Sequence, residues 1–365
     1  MRKITFLLIL ILFSVFGCID KFISTIIWTN IKNNTQLDVK VTGYDAPVRQ
    51  PLSTIGWEDG IYISRDGLDL YCTYVPGDLF SWTLHSSDPT AFTPYLRGPA
   101  FGMDLKTNPV GASSWIHSDI LYSHRNSAAE KFQSWELSDM ARPVFSEGGV
   151  CGIDKSGNTF GLFLYTSNDN DNGDNPQYNT HFRLFTNISS NPSGIGFLPP
   201  APLYNPNYKM DNPHIERIDA ENVVLFFDSD NFPGGIGKLD IWYSISTDNM
   251  VSWSAPVNVS TINTTDDDFQ PHLYYDSGVT KWYLYFTTAN PADGKLAIYR
   301  AQQHIMGNWD SWGTKELVIG AGNAAAVGEP SLTDKGDISF VVIYERTNGG
   351  VYDKYEADPW LMVKQ

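Results

Sequence analysis

The sequence predicts an all-β chain assembled from repeated four-stranded antiparallel sheets. Composition is the first reason. Of 365 residues, 42% are hydrophobic and 14% aromatic while only 18% are charged, which supplies a large core and too little charge for long solvated helices. Pattern is the second: from Trp57 onward, short runs of β-branched and aromatic residues alternate with Gly, Asn, Asp and Pro clusters, without extended helical periodicity. Recurrence is the third. A unit returns about every 60 residues. It has an opening acid on a short strand, a polar turn, a very apolar second strand, a third strand and a Trp-bearing fourth. One such unit cannot cover both its faces, so the units are expected to close into a ring, a β-propeller. Five blades are expected, with a sixth, degenerate blade as the alternative if the N-terminal strands and residues 85–118 supply one.

The chain begins with an export pattern. Arg2 and Lys3 precede an apolar run from Ile4 to Phe16, shorter than the about 20 residues needed to span a bilayer. Val15-Phe16-Gly17-Cys18 resembles the bacterial lipobox, with Phe16 standing where a small residue is usual. Residues 1–17 are therefore expected to be a signal peptide, and Cys18 the lipidated first residue of an exported protein held on the cell membrane or outer membrane. Residues 18–50, with alternating stretches such as Leu37-Asp-Val-Lys-Val-Thr42, read as the lipid-anchored tether plus early strands, and residues 51–365 as one propeller domain. Cys72 and Cys151 lie in apolar strand-like segments without paired spacing, and read as buried structural thiols.

The third unit is the clearest. It runs Asp211-Asn-Pro-His-Ile, Val223-Val-Leu-Phe-Phe-Asp228, Asp240-Ile-Trp-Tyr-Ser244 and Ser252-Trp-Ser-Ala-Pro-Val257. The fourth opens at Asp268-Phe-Gln-Pro-His-Leu, the fifth at Glu329-Pro-Ser-Leu and the second at Glu147-Gly-Gly-Val. The first opens at Asp59-Gly-Ile-Tyr-Ile and resumes at Asp119-Ile-Leu-Tyr-Ser123 after an insertion at about 85–118. Taken as equivalent strand starts, Asp59, Glu147, Asp211, Asp268 and Glu329 form a ring of acids at the channel mouth. Crowded carboxyls there would raise one another's pKa and separate an acid from a base.

These units resemble the propeller repeats of bacterial TolB-like periplasmic proteins and lipoproteins. The resemblance is best from Asp211 to Asn263, including Pro233-Gly-Gly-Ile-Gly237, Asp240-Ile-Trp242 and Trp253-Ser-Ala-Pro256-Val-Asn258. It implies a scaffold rather than a reaction. More distantly, the inner-strand acids are similar to those of five-bladed family 43 glycoside hydrolases. That similarity implies Asp59 as the base, Asp211 as its pKa-setting partner and Glu329, in Gly328-Glu329-Pro330, as the acid; Asp268 departs from a Glu expected there. Ser246-Thr-Asp248-Asn-Met250-Val-Ser252-Trp253 resembles the structural Asp-box turn of sialidases, with Met250 in place of its Gly.

The remaining candidates are binding residues. Glu147 and Asp268 complete the acidic ring. His214 and His272 recur in Pro-His-Ile and Pro-His-Leu and are expected to line the channel with water as their partner, metal ligation being the alternative. Trp57, Trp82 and Trp115 flank or occupy the insertion; exposed, they would stack on a sugar or peptide, although core packing is the commoner fate of such residues. No cofactor is expected, with calcium at residues 169–174 as the alternative. Asp169-Asn-Asp-Asn-Gly173-Asp174 resembles calcium loops in composition only, lacking the Glu six residues after the Gly. A net charge of −16 repels phosphates and excludes nucleic acid as a partner of the bulk surface. The expectation is a monomeric ligand-binding module for a glycan or an envelope protein. Glycoside hydrolysis is the competing reading, and a purely structural envelope role the third.

Overall fold

A computed structural model describes residues 26–54, 56–75, 78–79, 118–142, 145–169, 176–346 and 354–365. The export segment with Cys18, the insertion up to residue 117 with Trp82 and Trp115, and residues 170–175 of the calcium-like loop lie outside them. Among the described residues no helix is long and apolar enough to cross a membrane.

After a short helix at residues 26–33, the described chain is almost wholly strand and turn. Two short strands come first, β1 (Asp38–Val39) and β2 (Val48–Arg49). Antiparallel meanders follow. The first is β3 (Trp57–Ile63), β4 (Asp69–Val75), β5 (Asp119–His124) and β6 (Glu136–Leu137), and the second β7 (Glu147–Ile153), β8 (Thr159–Asp169) and β9 (Pro176–Ser189). The third comprises β10 (Asp211–Arg217), β11 (Val223–Ser229), β12 (Asp240–Ser246) and β13 (Val257–Asn258). The fourth is β14 (Asp268–Asp276), β15 (Lys281–Ala289), β16 (Leu296–Gln302) and β17 (Glu316–Gly320), and the last β18 (Ala326–Leu332), β19 (Ile338–Arg346) and β20 (Lys354–Met362).

The first strands β3, β7, β10, β14 and β18 pack side by side in that cyclic order, and β18 returns to β3. This is a β-propeller. Its ring is sealed by the N-terminal segment: β2 pairs with β20 and gives the last meander its outer strand, while β1 adds to the edge of β17. Second strands lie between neighbouring blades and are covered on both faces, which is why they read as unbroken apolar runs. β11 is buried along its whole length, and Phe163, Phe286 and Val341 on other second strands are buried too. Cys72 and Cys151 are free and buried in this material, and burial pushes both thiols up.

The Pro-Gly-rich turn before β12 also has a steric basis. A side chain on Gly237 would place Cβ 2.3 Å from the carbonyl oxygen of Asp266 and 2.5 Å from that of Thr264. Only a residue without Cβ lets the two backbones approach so closely.

Candidate active site

Every inner strand carries a β-bulge at the same height. Registry slips between Asp59 and Tyr62, Gly148 and Cys151, Asp211 and His214, Phe269 and His272, and Gly328 and Ser331. The first bulged residue is left-handed in each blade: Gly60 (φ +58°), Gly149 (+43°), Asn212 (+46°), Gln270 (+56°) and Glu329 (+58°). The five bulges surround a small axial cavity of about 40 Å³, room for a water molecule.

This register corrects the expected ring of equivalent acids. Asp59 and Asp211 stand just before the bulge, Glu147 and Asp268 one residue earlier, and Glu329 on the bulge itself. The five acids occupy three levels and form separate groups.

Glu147 and Asp268 belong to structural contacts. Glu147 accepts from Arg142 Nε at 2.9 Å, and Arg142 continues to Asp169, which is shared with Arg183. Asp268 Oδ2 accepts from the backbone N–H and the hydroxyl of Thr264, at 2.6 and 2.7 Å. Both are buried.

Asp59, Asp211 and Glu329 do come together at the mouth. The Glu329 carboxyl is in hydrogen-bonding contact with that of Asp59. Burial first, then the Asp59 charge and that contact, hold Glu329 well above the usual carboxylate range. Glu329 Oε2 also accepts the Ile61 N–H at 2.8 Å, and Oε1 the Gln270 side-chain amide at 2.8 Å. Asp59 takes the Trp57 indole N–H at 2.8 Å.

Sequence reasoning did not single out a fourth acid, Asp228, which faces Asp211 directly across the β10–β11 ladder. Asn212 links the pair: its backbone N–H donates to Asp211 at 2.9 Å and its side-chain amide to Asp228 at 2.8 Å. Burial and then the Asp211 charge push Asp228 up to about 7, and burial likewise raises Asp211 against the opposing pull of Lys209. Asp228 Oδ2 also accepts the bulge N–H of Gln270 at 2.8 Å. Thr73 and Thr287 serve the bulge amides of Gly149 and Glu329 in the same way, so a hydroxyl meets that structural need and the carboxyl at 228 exceeds it. The mouth thus holds two carboxyl pairs, Asp59–Glu329 and Asp211–Asp228, near enough for Asp59 and Asp211 to affect each other's charge.

Below the bulges, His214 and His272 stack with ring centroids 3.9 Å apart. His272 Nε2 accepts the Leu332 N–H at 3.0 Å, and His214 hydrogen-bonds the backbone of Leu273. Ser331 accepts the Ile63 N–H at 3.0 Å and Cys151 Sγ that of Ile215 at 3.4 Å, while the Tyr62 hydroxyl donates to Gly152 carbonyl. One side chain at this level on each inner strand therefore staples it to the next. Burial, with Arg65 and for His272 also His214 nearby, keeps both imidazoles neutral. No cluster of His, Cys, Asp and Glu suited to a metal occurs among the described residues. Trp57, a stacking candidate only if exposed, is 2% exposed and lines the wall of a larger chamber beside the Asp59–Glu329 pair.

Neither a family model nor a curated protein matches the sequence. Solved structures do. The catalytic domain of a GH62 α-L-arabinofuranosidase from Coprinopsis cinerea superposes with a TM-score of 0.52 at 10% identity, over 90% of this chain and 96% of that one. An α-L-arabinofuranosidase from Podospora anserina gives 0.49 at 11% identity over 87% and 95%, and an endo-arabinase from Bacteroides thetaiotaomicron 0.42 at 11% over 86% and 94%. The chain shares the fold of propeller glycoside hydrolases. The Coprinopsis cinerea neighbour supports the distant likeness to glycoside hydrolases and lends no support to the TolB-like one.

Proposed function

We propose that this chain is a carbohydrate-active propeller that hydrolyses glycosidic bonds at its mouth, exported and anchored through lipid on Cys18. The observation that carries the reading is Glu329. It is a buried acid, its pKa pushed well up by burial and by Asp59, placed in a left-handed conformation that glycine occupies at lower cost in two sister blades. Its contact with the Ile61 N–H serves folding, but a neutral acceptor would meet that need, whereas general acid catalysis requires a carboxyl.

Glycosidases set their two working carboxyls about 5–9.5 Å apart so that the bond fits between them. Asp59 touches Glu329 and is too close to flank a bond with it. In this reading Asp59 raises the pKa of Glu329, which delivers its proton to the leaving oxygen. The Asp211–Asp228 pair supplies the carboxylate on the other side of the sugar. A second reading, glycan binding without turnover, is favoured by the backbone and amide contacts that already engage both Glu329 oxygens.

The test begins with α-L-arabinofuranosides, the substrates named for the Coprinopsis cinerea neighbour, and extends to other aryl glycosides and glycans. Hydrolysis by the full chain is expected. Glu329→Gln and Asp211→Asn should each lower kcat by about 10²–10⁴-fold with melting temperature retained. Saturable glycan binding with no turnover would move the conclusion to the second reading. Absence of both binding and turnover across the panel would defeat both.

A further inference from the structure

Beside the Asp59–Glu329 pair, between the last two meanders, lies a chamber of about 260 Å³. Its walls are mainly apolar: Trp57, Phe269, Leu296, Val327, Val341 and Ile343. Its few polar groups are already engaged within the protein. The Gln270 side chain bonds Glu329 in both directions, Asp59 takes the Trp57 N–H, and Asp267 accepts the Leu239 N–H at 3.1 Å.

A sugar ring in this chamber would find acceptors only at the carboxyl edges of Asp59 and Asp267 and would leave most of its hydroxyls unpaired, at about 1–3 kcal/mol each. An aromatic ring asks for no such partners. Dry apolar cavities of about 150 Å³ bind benzene, so this chamber has room for a substituted ring. Glu329 and Asp59 form the wall toward the mouth, with Asp267 elsewhere on the lining, so a group that fills the chamber from the mouth is attached near the oxygen that Glu329 would protonate.

We infer that this chamber is a specificity pocket for an aromatic group on the leaving-group side of the glycosidic bond. The inference rests on the hydrolase reading for the direction in which the ring points, and on the cavity alone for the ring itself. Substrates would then be glycans carrying an aryl substituent, or glycosides of aryl alcohols, ahead of unsubstituted oligosaccharides.

Leu296 is half-buried on the chamber wall and takes no part in the carboxyl pairs, so Leu296→Trp fills the space from the rim. Three measurements test the pocket on the full chain. Benzyl alcohol should bind wild type saturably in calorimetry, and Leu296→Trp should weaken that binding at least tenfold. Benzyl α-L-arabinofuranoside should show a KM at least tenfold below that of the methyl glycoside, a difference that Leu296→Trp removes while methyl glycoside turnover stays unchanged. Leu296→Phe, a smaller change checked by its melting temperature, should give the same direction at about threefold and covers a failure of the Trp variant to fold. Benzyl alcohol binding without hydrolysis of either glycoside would overturn the hydrolase reading and support the pocket. Hydrolysis with equal KM values and no benzyl alcohol binding would overturn the pocket alone.

Discussion

Replacing Lys32 by Met should cost more stability than any surface substitution. Lys32 stands on the N-terminal helix, 7% exposed, and reaches across the ring closure to Asp358 at 2.7 Å, Glu356 at 3.1 Å and the Thr54 carbonyl at 2.9 Å. Glu356, Asp358 and nearby Glu58 are fully buried, and Arg49 approaches Asp358 only at 3.9 Å. Burial alone would lower the Lys32 pKa, but Asp358, Glu356 and Glu58 together raise it, so the ammonium is held charged. Methionine keeps much of the packing and removes the charge. Breaking a buried pair from one side costs about 3–5 kcal/mol because the remaining charges stay desolvated. At about 2.1 cal/mol/K per residue, a chain of 365 residues has an unfolding entropy near 0.77 kcal/mol/K, so the loss corresponds to about 4–6 °C in Tm. Differential scanning calorimetry at pH 7 measures it. A drop below about 1 °C would refute the argument, since it would mean these carboxylates do not depend on Lys32.

Other outcomes follow from the same physics. Both Asp119 oxygens lack partners and burial drives the group to about 8, so the folded state retains a proton that the unfolded chain releases near 3.9, and stability falls as pH rises between those values. Asp119→Asn should therefore be more stable than wild type at pH 8, by about 1–3 kcal/mol, with the gain gone at pH 4 in denaturant titrations. His214 and His272 have depressed values, so the unfolded chain protonates first and their contribution fades as pH drops below about 6.5; in the folded protein neither ring should titrate by NMR between pH about 7.5 and 5.5. Gly237→Ala should destabilise by about 2–3 kcal/mol, whereas Gly234→Ala, at φ +93° but with nothing within 4 Å, should cost about 1 kcal/mol in the same assay.

The propeller was legible because second strands such as Val223–Asp228 and Trp282–Phe286 are apolar on both faces, and a repeat of that kind has few ways to bury itself. The register of the inner strands was harder to read. Aligning the opening acids equates Asp211 with Asp268, yet Asn212-Pro213-His214, Gln270-Pro271-His272 and Glu329-Pro330-Ser331 are the true equivalents. The prolines carried that signal. In the first two blades Ile61 and Val150 replace them, and a left-handed φ shared by Gly, Asn, Gln and Glu leaves no common letter. Asp228 escaped notice because it ends an apolar strand, and its role depends on cross-strand pairing with Asp211. The histidines read as channel residues facing water, because a bond to a neighbouring blade's backbone cannot be seen in sequence. Trp57 follows a polar loop, and its burial depends on packing against the last blade.

The account depends on a proton resting on Glu329 at neutral pH beside Asp59. Difference infrared spectroscopy of wild type minus Glu329→Gln at pH 7 observes that proton without requiring a substrate. The predicted spectrum loses a protonated-carboxyl C=O band in the variant, with the carboxylate bands nearly unchanged. Loss of an ionised carboxylate band instead would show Glu329 charged and would contradict the proposed acid.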